Sequence, residues 1–232
     1  MQEVNASNEP ELYPLSIGSA RGVPAAQIDA LYGARVVSGP LFDAVVKQHN
    51  GRCAGCGFES KKFLSLHPKD DKLSNRNPEE LVPLCPFCFS SCNIFYAGRC
   101  GGGRIVRLPE VSQAYLNRSI RALMVAARLG LPQAEDVASR VFKALQKRAY
   151  MVEQAWGSSL PEDFCAALGE VEDATYYDLK EKLYELRFIP TLKNPMLTED
   201  YFGFLCSDAK KLDPHGTESA SLMYSLLGPL NG

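Results

Sequence analysis

The sequence lacks what a membrane-spanning or secreted chain would carry. It has no run of 18 apolar residues, so no stretch of the 232 residues is suited to cross a bilayer as a helix. Its opening, M-Q-E-V-N-A-S-N-E-P, has neither the basic nor the apolar region of a secretory signal, and a cytoplasmic location is expected. It also lacks a large excess of either charge: 25 Lys and Arg against 27 Asp and Glu leave a net charge of −2. The most basic stretches are mild. Residues 41–107 hold 10 Lys/Arg and 6 Asp/Glu, and 108–156 hold 7 and 4, which is weak for a nucleic-acid footprint. Residues 157–232 are acidic, with 6 and 13. No internal repeat and no sustained heptad run occurs, which excludes a solenoid and a coiled coil. The remaining composition, 46% apolar and 22% charged, is that of a soluble globular protein.

What the chain does have is cysteine, eight residues of it. In a reducing compartment, paired cysteines more often hold metal than form disulfides. Two Cys-x-x-Cys pairs, Cys53/Cys56 and Cys85/Cys88, are separated by 28 intervening residues. Each pair can wrap one side of an ion, and four thiolates suit tetrahedral zinc. These four residues are therefore the candidate ligands of one structural Zn2+ site. The alternatives are buried free thiols or two redox pairs. Cys92, one helical turn beyond Cys88, and Cys100 are candidates for a replacement ligand or a second site. Cys165 and Cys206 are expected in the core.

Around the cysteines the chain divides into three. Residues 1–39 read as a partly irregular N-terminal arm, rich in Asn, Ser, Pro, Gly and Ala. Residues 40–107 read as the zinc module. A short helix over 40–49 opens with Pro40 at its first position. A knuckle at C-A-G-C-G follows, then a strand over 61–67 and a loop of turn formers. The second cysteine pair opens a helix that the run R-C-G-G-G-R breaks. Residues 108–232 read as helical. One helix over 110–129 has Leu116, Ile120, Leu123, Met124 and Ala127 inward. Another over 132–156 has Val137, Val141, Phe142, Leu145 and Ala149 inward. Further helices are expected over 161–168, 174–187, 198–212 and 217–227.

The helix, knuckle, strand ending in His67, loop and L-V-P-L-C-x-x-C resemble the HNH nuclease family, a treble-clef (ββα) zinc fold. That resemblance implies a general-base role at His67. It also implies an Asn where this chain has Glu80, a metal-binding His where it has Phe89, and an acidic residue where it has Leu66. Neither Phe nor Leu can ligate a hard cation. Asp70, Asp71 and Asn75 are substitutes on paper, and ordinary solvated loop residues otherwise. As a structural residue, His67 would hydrogen-bond a backbone carbonyl instead.

The segment beyond is more specific. It contains C-x-x-C-x-x-x-C (Cys85, Cys88, Cys92), a glycine run at 101–103 and L-P-E-V-S-Q-A-Y-L-N at 108–117. These resemble the IcmJ (DotN) family of type IVB (Dot/Icm) secretion and conjugation systems, over residues 40–156. The resemblance implies an α+β, mostly helical fold, with an HNH-like zinc module packed against a C-terminal helical region. It implies a non-enzymatic adaptor of the coupling complex at the cytoplasmic face of the inner membrane. The adaptor would bind a cytoplasmic segment of the coupling ATPase (DotL-like) and other subunits, with the zinc purely structural. The competing readings are a metal-dependent HNH endonuclease acting on DNA and a non-catalytic zinc-bearing nucleic-acid binder.

Three further groups of residues carry expectations. His49 is a candidate neighbour of the zinc site, and His215 a surface turn residue. Arg99, Arg104 and Arg107, with Arg118, Arg121 and Arg128 on the next helix, read as solvated faces or partners of the acidic C-terminal part. Alternatively they form a seat for an acidic partner or phosphate. A surplus apolar helix stripe would be where a partner helix docks.

Overall fold

The computed structural model describes residues 13–15, 39–69, 77–172, 175, 178–179 and 183–212. Helix α1 (Pro40–Gln48) starts on Pro40 and turns Phe42, Val45 and Val46 inward. Behind it, Asn50 and Gly51 take positive φ values and bring the chain into the cysteine knuckle. The knuckle closes on itself: Cys53 N–H donates to Phe58 O, and Gly57 N–H to Cys53 O, both at 2.8 Å. Gly57 has φ +74°, a region that disfavours any Cβ.

Strand β1 (Ser65–Pro68) runs antiparallel to β2 (Leu81–Leu84), with His67 opposite Val82. The strand is shorter than the expected 61–67. Ser60 Oγ accepts from the amides of Lys62 and Phe63, and this local turn holds the first residues out of the ladder. The knuckle joins the sheet through Ala54 N–H to Pro83 O, at 2.9 Å. Helix α2 (Pro86–Cys92) follows with Cys85 as its cap residue, and every residue in it is buried. It ends sooner than the glycine run. Asn93 Nδ2 donates to Phe89 O, substituting for the next helical bond, and a separate short helix α3 (Ile94–Gly98) begins.

A second sheet pairs β3 (Gly103–Arg107) with β4 (Leu186–Pro190), antiparallel. The expected helix over 174–187 is corrected here. Residues 175, 178–179 and 183 are helical, but Leu186 and Arg187 belong to β4. The aromatic and β-branched residues of L-R-F-I-P suit a strand, and β3 offers them a partner. Between the strands lie α4 (Gln113–Arg128), α5 (Ala134–Trp156) and α6 (Pro161–Glu170); α7 (Glu199–Leu212) follows β4. Ser112 Oγ caps α4 by accepting from Tyr115 N–H, and Gly157 at φ +84° ends α5. Helix α5 buries Val137, Val141, Leu145, Ala149 and Val152, but Phe142, expected inward, is 37% exposed. The fold is thus α+β and mostly helical, with two small sheets among the described residues.

One core cluster joins α1, the cysteines, α2, α4, α5 and α7, and a smaller one gathers Ile94, Ile105, Phe164, Leu168 and Phe188. The expected helix over 217–227, His215, and the loop residues Asp70, Asp71 and Asn75 lie outside the described residues. So does the N-terminal arm except for 13–15 and 39; there, Tyr13 N–H bonds Ala54 O. No helix among the described residues is long and apolar enough to cross a membrane.

Candidate metal centre

The two cysteine pairs arrive from different elements, Cys53 and Cys56 from the knuckle, Cys85 and Cys88 from the entry to α2. Their sulfurs all lie within 4.8 Å of one another, and all four residues are buried. Cys56 Sγ and Cys85 Sγ are 3.7 Å apart. Metal–sulfur bonds of about 2.3 Å place sulfurs about 3.8 Å apart at the corners of a tetrahedron, so the cluster fits a four-coordinate cation. Backbone geometry supports the sulfurs as well: Cys85 N–H points at Cys53 Sγ, at 3.2 Å.

The chemistry of the cluster favours a cation too. Burial pushes the thiols of Cys85 and Cys88 well up, while hydrogen bonds from Cys53, Cys85 and Cys88 hold Cys56 down. Four buried thiolates cannot share so small a volume unless a positive charge sits among them.

Helix α4 supplies two groups that sequence reasoning did not attach to the site. Arg121 Nη1 lies 3.4 Å from Cys56 Sγ and 3.8 Å from Cys85 Sγ. Burial opposes its charge, but the thiolates of Cys56 and Cys85 outweigh that and raise its pKa above the ordinary value. Its guanidinium also stacks over the Phe58 ring, 4.6 Å from the centroid. One turn earlier, Asn117 Nδ2 donates to Ser91 Oγ at 3.1 Å and faces Cys88 Sγ at 3.5 Å. The available signal was their i, i+4 spacing, which puts both on one helix face.

The same helix explains the L-P-E-V-S-Q-A-Y-L-N segment. Leu108 N–H bonds Glu185 O, Ser112 caps the helix, and Leu116 is fully buried. Gln113 brackets Phe188, donating Nε2–H to its carbonyl and accepting its N–H on Oε1, both at 2.8 Å. The glycine run is equally structural. A Cβ on Gly102 would stand 1.9 Å from Ala97 O, and one on Gly103 would stand 2.2 Å from the Phe188 ring.

The other candidates divide. Cys92 is buried in the main core and is not one of the four clustered cysteines. Cys100 lies in the turn Arg99–Gly101, with its side chain outside the description. Cys165 is in the smaller core cluster, where burial pushes its thiol up to about 12, and Cys206 is half-buried against the main core. His49 closes α1, with its N–H on Val45 O; burial and then Lys69 lower its pKa.

His67 ends up 1% exposed. Its Nδ1 faces Asn93 Nδ2 at 3.4 Å, and its ring meets Tyr13 and Phe89 edge to face. Glu80 sits exposed at the end of the 3-10 turn Pro78–Glu80. Of the arginines, Arg107 pairs with Glu185 at 2.7 Å, and Arg128 pairs with Glu199 at 2.7 Å while covering Phe202. Both partners lie in the acidic C-terminal part. Arg104 donates to Gly103 O.

No family model matches the chain. A relative among curated proteins is Type 4 apparatus protein DotN of Legionella pneumophila subsp. pneumophila strain Philadelphia 1, 25% identical over 146 residues. The match takes in 60% of this chain and 66% of DotN, just under two thirds of the relative's length. The chain is therefore distantly similar to DotN.

Proposed function

We propose that this chain is a zinc-stabilised, non-enzymatic adaptor in a type IVB (Dot/Icm) secretion or conjugation coupling complex. It holds a cytoplasmic segment of the coupling ATPase (DotL-like) and so helps bring substrates to it, at the cytoplasmic face of the inner membrane through its partners. The similarity to DotN, a type 4 apparatus protein, is the observation that carries this reading.

The site agrees with it chemically. A buried set of four sulfur donors would fill a four-coordinate cation and leave no open position for substrate, which is how structural zinc sites are built. His67 is enclosed by Phe89, Tyr13 and Asn93, and Phe89 offers no ligand to a catalytic cation. In this reading the HNH-like frame is retained for its zinc staple, and residues 108 onward add the helices that a recognition surface needs.

The deciding experiment is co-purification of the full chain with the cytoplasmic region of the coupling ATPase. A stable complex, with one zinc per chain by elemental analysis, is the expected result. Plasmid nicking in magnesium or manganese that disappears in His67→Ala would replace this reading with a nuclease.

A further inference from the structure

Tyr13, Pro14 and Leu15 of the N-terminal arm lie on the cysteine knuckle. Residues 16–38 join Leu15 to Gly39, and at about 3.3 Å per extended residue that connection can reach across a domain of this size. Connectivity therefore does not decide where Tyr13–Leu15 sit, and their contacts do. Tyr13 N–H donates to Ala54 O at 2.9 Å, and Ala54 N–H donates to Pro83 O at 2.9 Å. The middle of the knuckle is thus tied to the arm through its carbonyl and to β2 through its amide. The Tyr13 ring meets His67 edge to face, with centroids 6.2 Å apart. Tyr13 and Leu15 are half-buried and pack on the core cluster that holds the four cysteines.

Leu15 accounts for a glycine that the knuckle backbone does not require. Gly57 has φ +74° and open space where a Cβ would stand, so its conformation is what calls for glycine. Gly55 is the reverse case. Its φ lies outside the left-handed region, but a Cβ there would stand 2.7 Å from Leu15 Cδ2 and 3.0 Å from Cδ1 and Cγ. The missing side chain at 55 is the seat of Leu15. That seat lies between Cys53 and Cys56, which are 1% and 4% exposed. Cys85 and Cys88 are fully buried and backed by Arg121 and Asn117 of α4. The outward wall of the sulfur cluster is therefore the knuckle, and the arm lies across it.

We infer that Tyr13–Leu15 form a reversible strap over the knuckle, seated by Leu15 on Gly55, and that a metal ion enters and leaves the four-cysteine site when this strap lifts. One backbone hydrogen bond and two half-buried side chains make a small contact, of the kind that opens locally without global unfolding. The strap supplies none of the four sulfurs, so it governs how fast metal exchanges and not which atoms hold it. The inference rests on the zinc part of the proposed function and is independent of any partner.

The test follows zinc leaving the zinc-loaded full chain into excess chromogenic chelator, for wild type, Leu15→Ala, Gly55→Ala and the double variant. Leu15→Ala removes the contact, and Gly55→Ala pushes Leu15 off its seat. Each should speed release about fivefold or more while zinc content stays at one per chain. The double variant should release no faster than the faster single one, because both changes break the same contact. Low urea separates strap opening from unfolding: release through a local opening stays nearly flat well below the unfolding midpoint. A rate that climbs with urea as steeply as unfolding does would mean that metal leaves through the unfolded chain, and would overturn the strap. So would effects that multiply in the double variant, since Gly55→Ala would then act on the knuckle itself. Equal release by all four proteins would remove the strap and leave the zinc site and the adaptor reading standing. A wild-type chain without zinc would remove the strap and the zinc site together.

Discussion

Four thiolates around one divalent cation leave two negative charges, and a centre buried as deeply as this one needs them offset. Arg121 is placed to do that, with Nη1 3.4 Å from Cys56 Sγ and 3.8 Å from Cys85 Sγ. Asn117 adds a neutral donor at Cys88, and Cys85 N–H a third at Cys53. Removing the guanidinium leaves the four ligands in place, so the cost should fall on metal retention first. Arg121→Leu is expected to weaken zinc binding about 10–100-fold, the usual effect of losing an outer partner of a metal site. Arg121→Lys should recover part of that, because it restores the charge without the planar fork. Competition with a chromogenic chelator measures both. Equal zinc affinity in Arg121→Leu and wild type would show that the thiolates do not depend on the guanidinium. His67 makes the opposite point at the same scale. Its position at the end of a strand was legible in the sequence, but its enclosure by Tyr13, Phe89 and Asn93 depends on residues far apart in the chain.

Among the elements, β4 shows how tertiary context overrides local pattern. The block before Pro190 reads as the end of a helix over 174–187 stopped by a proline, yet Leu186–Pro190 forms a strand because β3 and Gln113 satisfy its backbone from both sides. Gln113 therefore acts as a substitute strand. Gln113→Leu would bury an unsatisfied N–H and carbonyl at Phe188 and is expected to destabilise the protein by about 2–4 kcal/mol. A urea titration gives the size, and the Phe188 amide should be the first in its strand to gain exchange rate. An unchanged urea midpoint would mean that water takes over both groups. The long helices were legible because their apolar residues recur with the helical period. The short elements were not, since Ser60 and Asn93 redirect the chain through side-chain bonds that no periodicity reports.

For the whole molecule, the cysteine cluster and the helical core are one unit: the four cysteines belong to the same core cluster as Leu116, Ile120, Val141 and Tyr201. Zinc loss is therefore expected to loosen the helices as well as the knuckle. A strong chelator should lower the melting temperature and the helical circular dichroism together, and Cys53→Ser should reproduce this without chelator. Acid should act in the same direction. With metal bound, the thiols are held deprotonated, so stability falls as pH falls and protons compete for the sulfurs. Burial alone, which raises the metal-free thiols of Cys85 and Cys88, would put the loss at alkaline pH instead. Melting curves at pH 5 and pH 7 distinguish the two, and a chain equally stable at both, with and without chelator, would show that no metal supports the fold. The sequence by itself determined that two Cys-x-x-Cys pairs would meet, that helices would dominate after Pro109, and that no long apolar helix would form, because these follow from local spacing and composition. Only the tertiary structure decided that Arg121 and Asn117 reach the thiols, that β3 finds β4, and that Leu15 comes to rest on Gly55. Those outcomes depend on which distant surfaces pack together, and that is settled by the folded core as a whole.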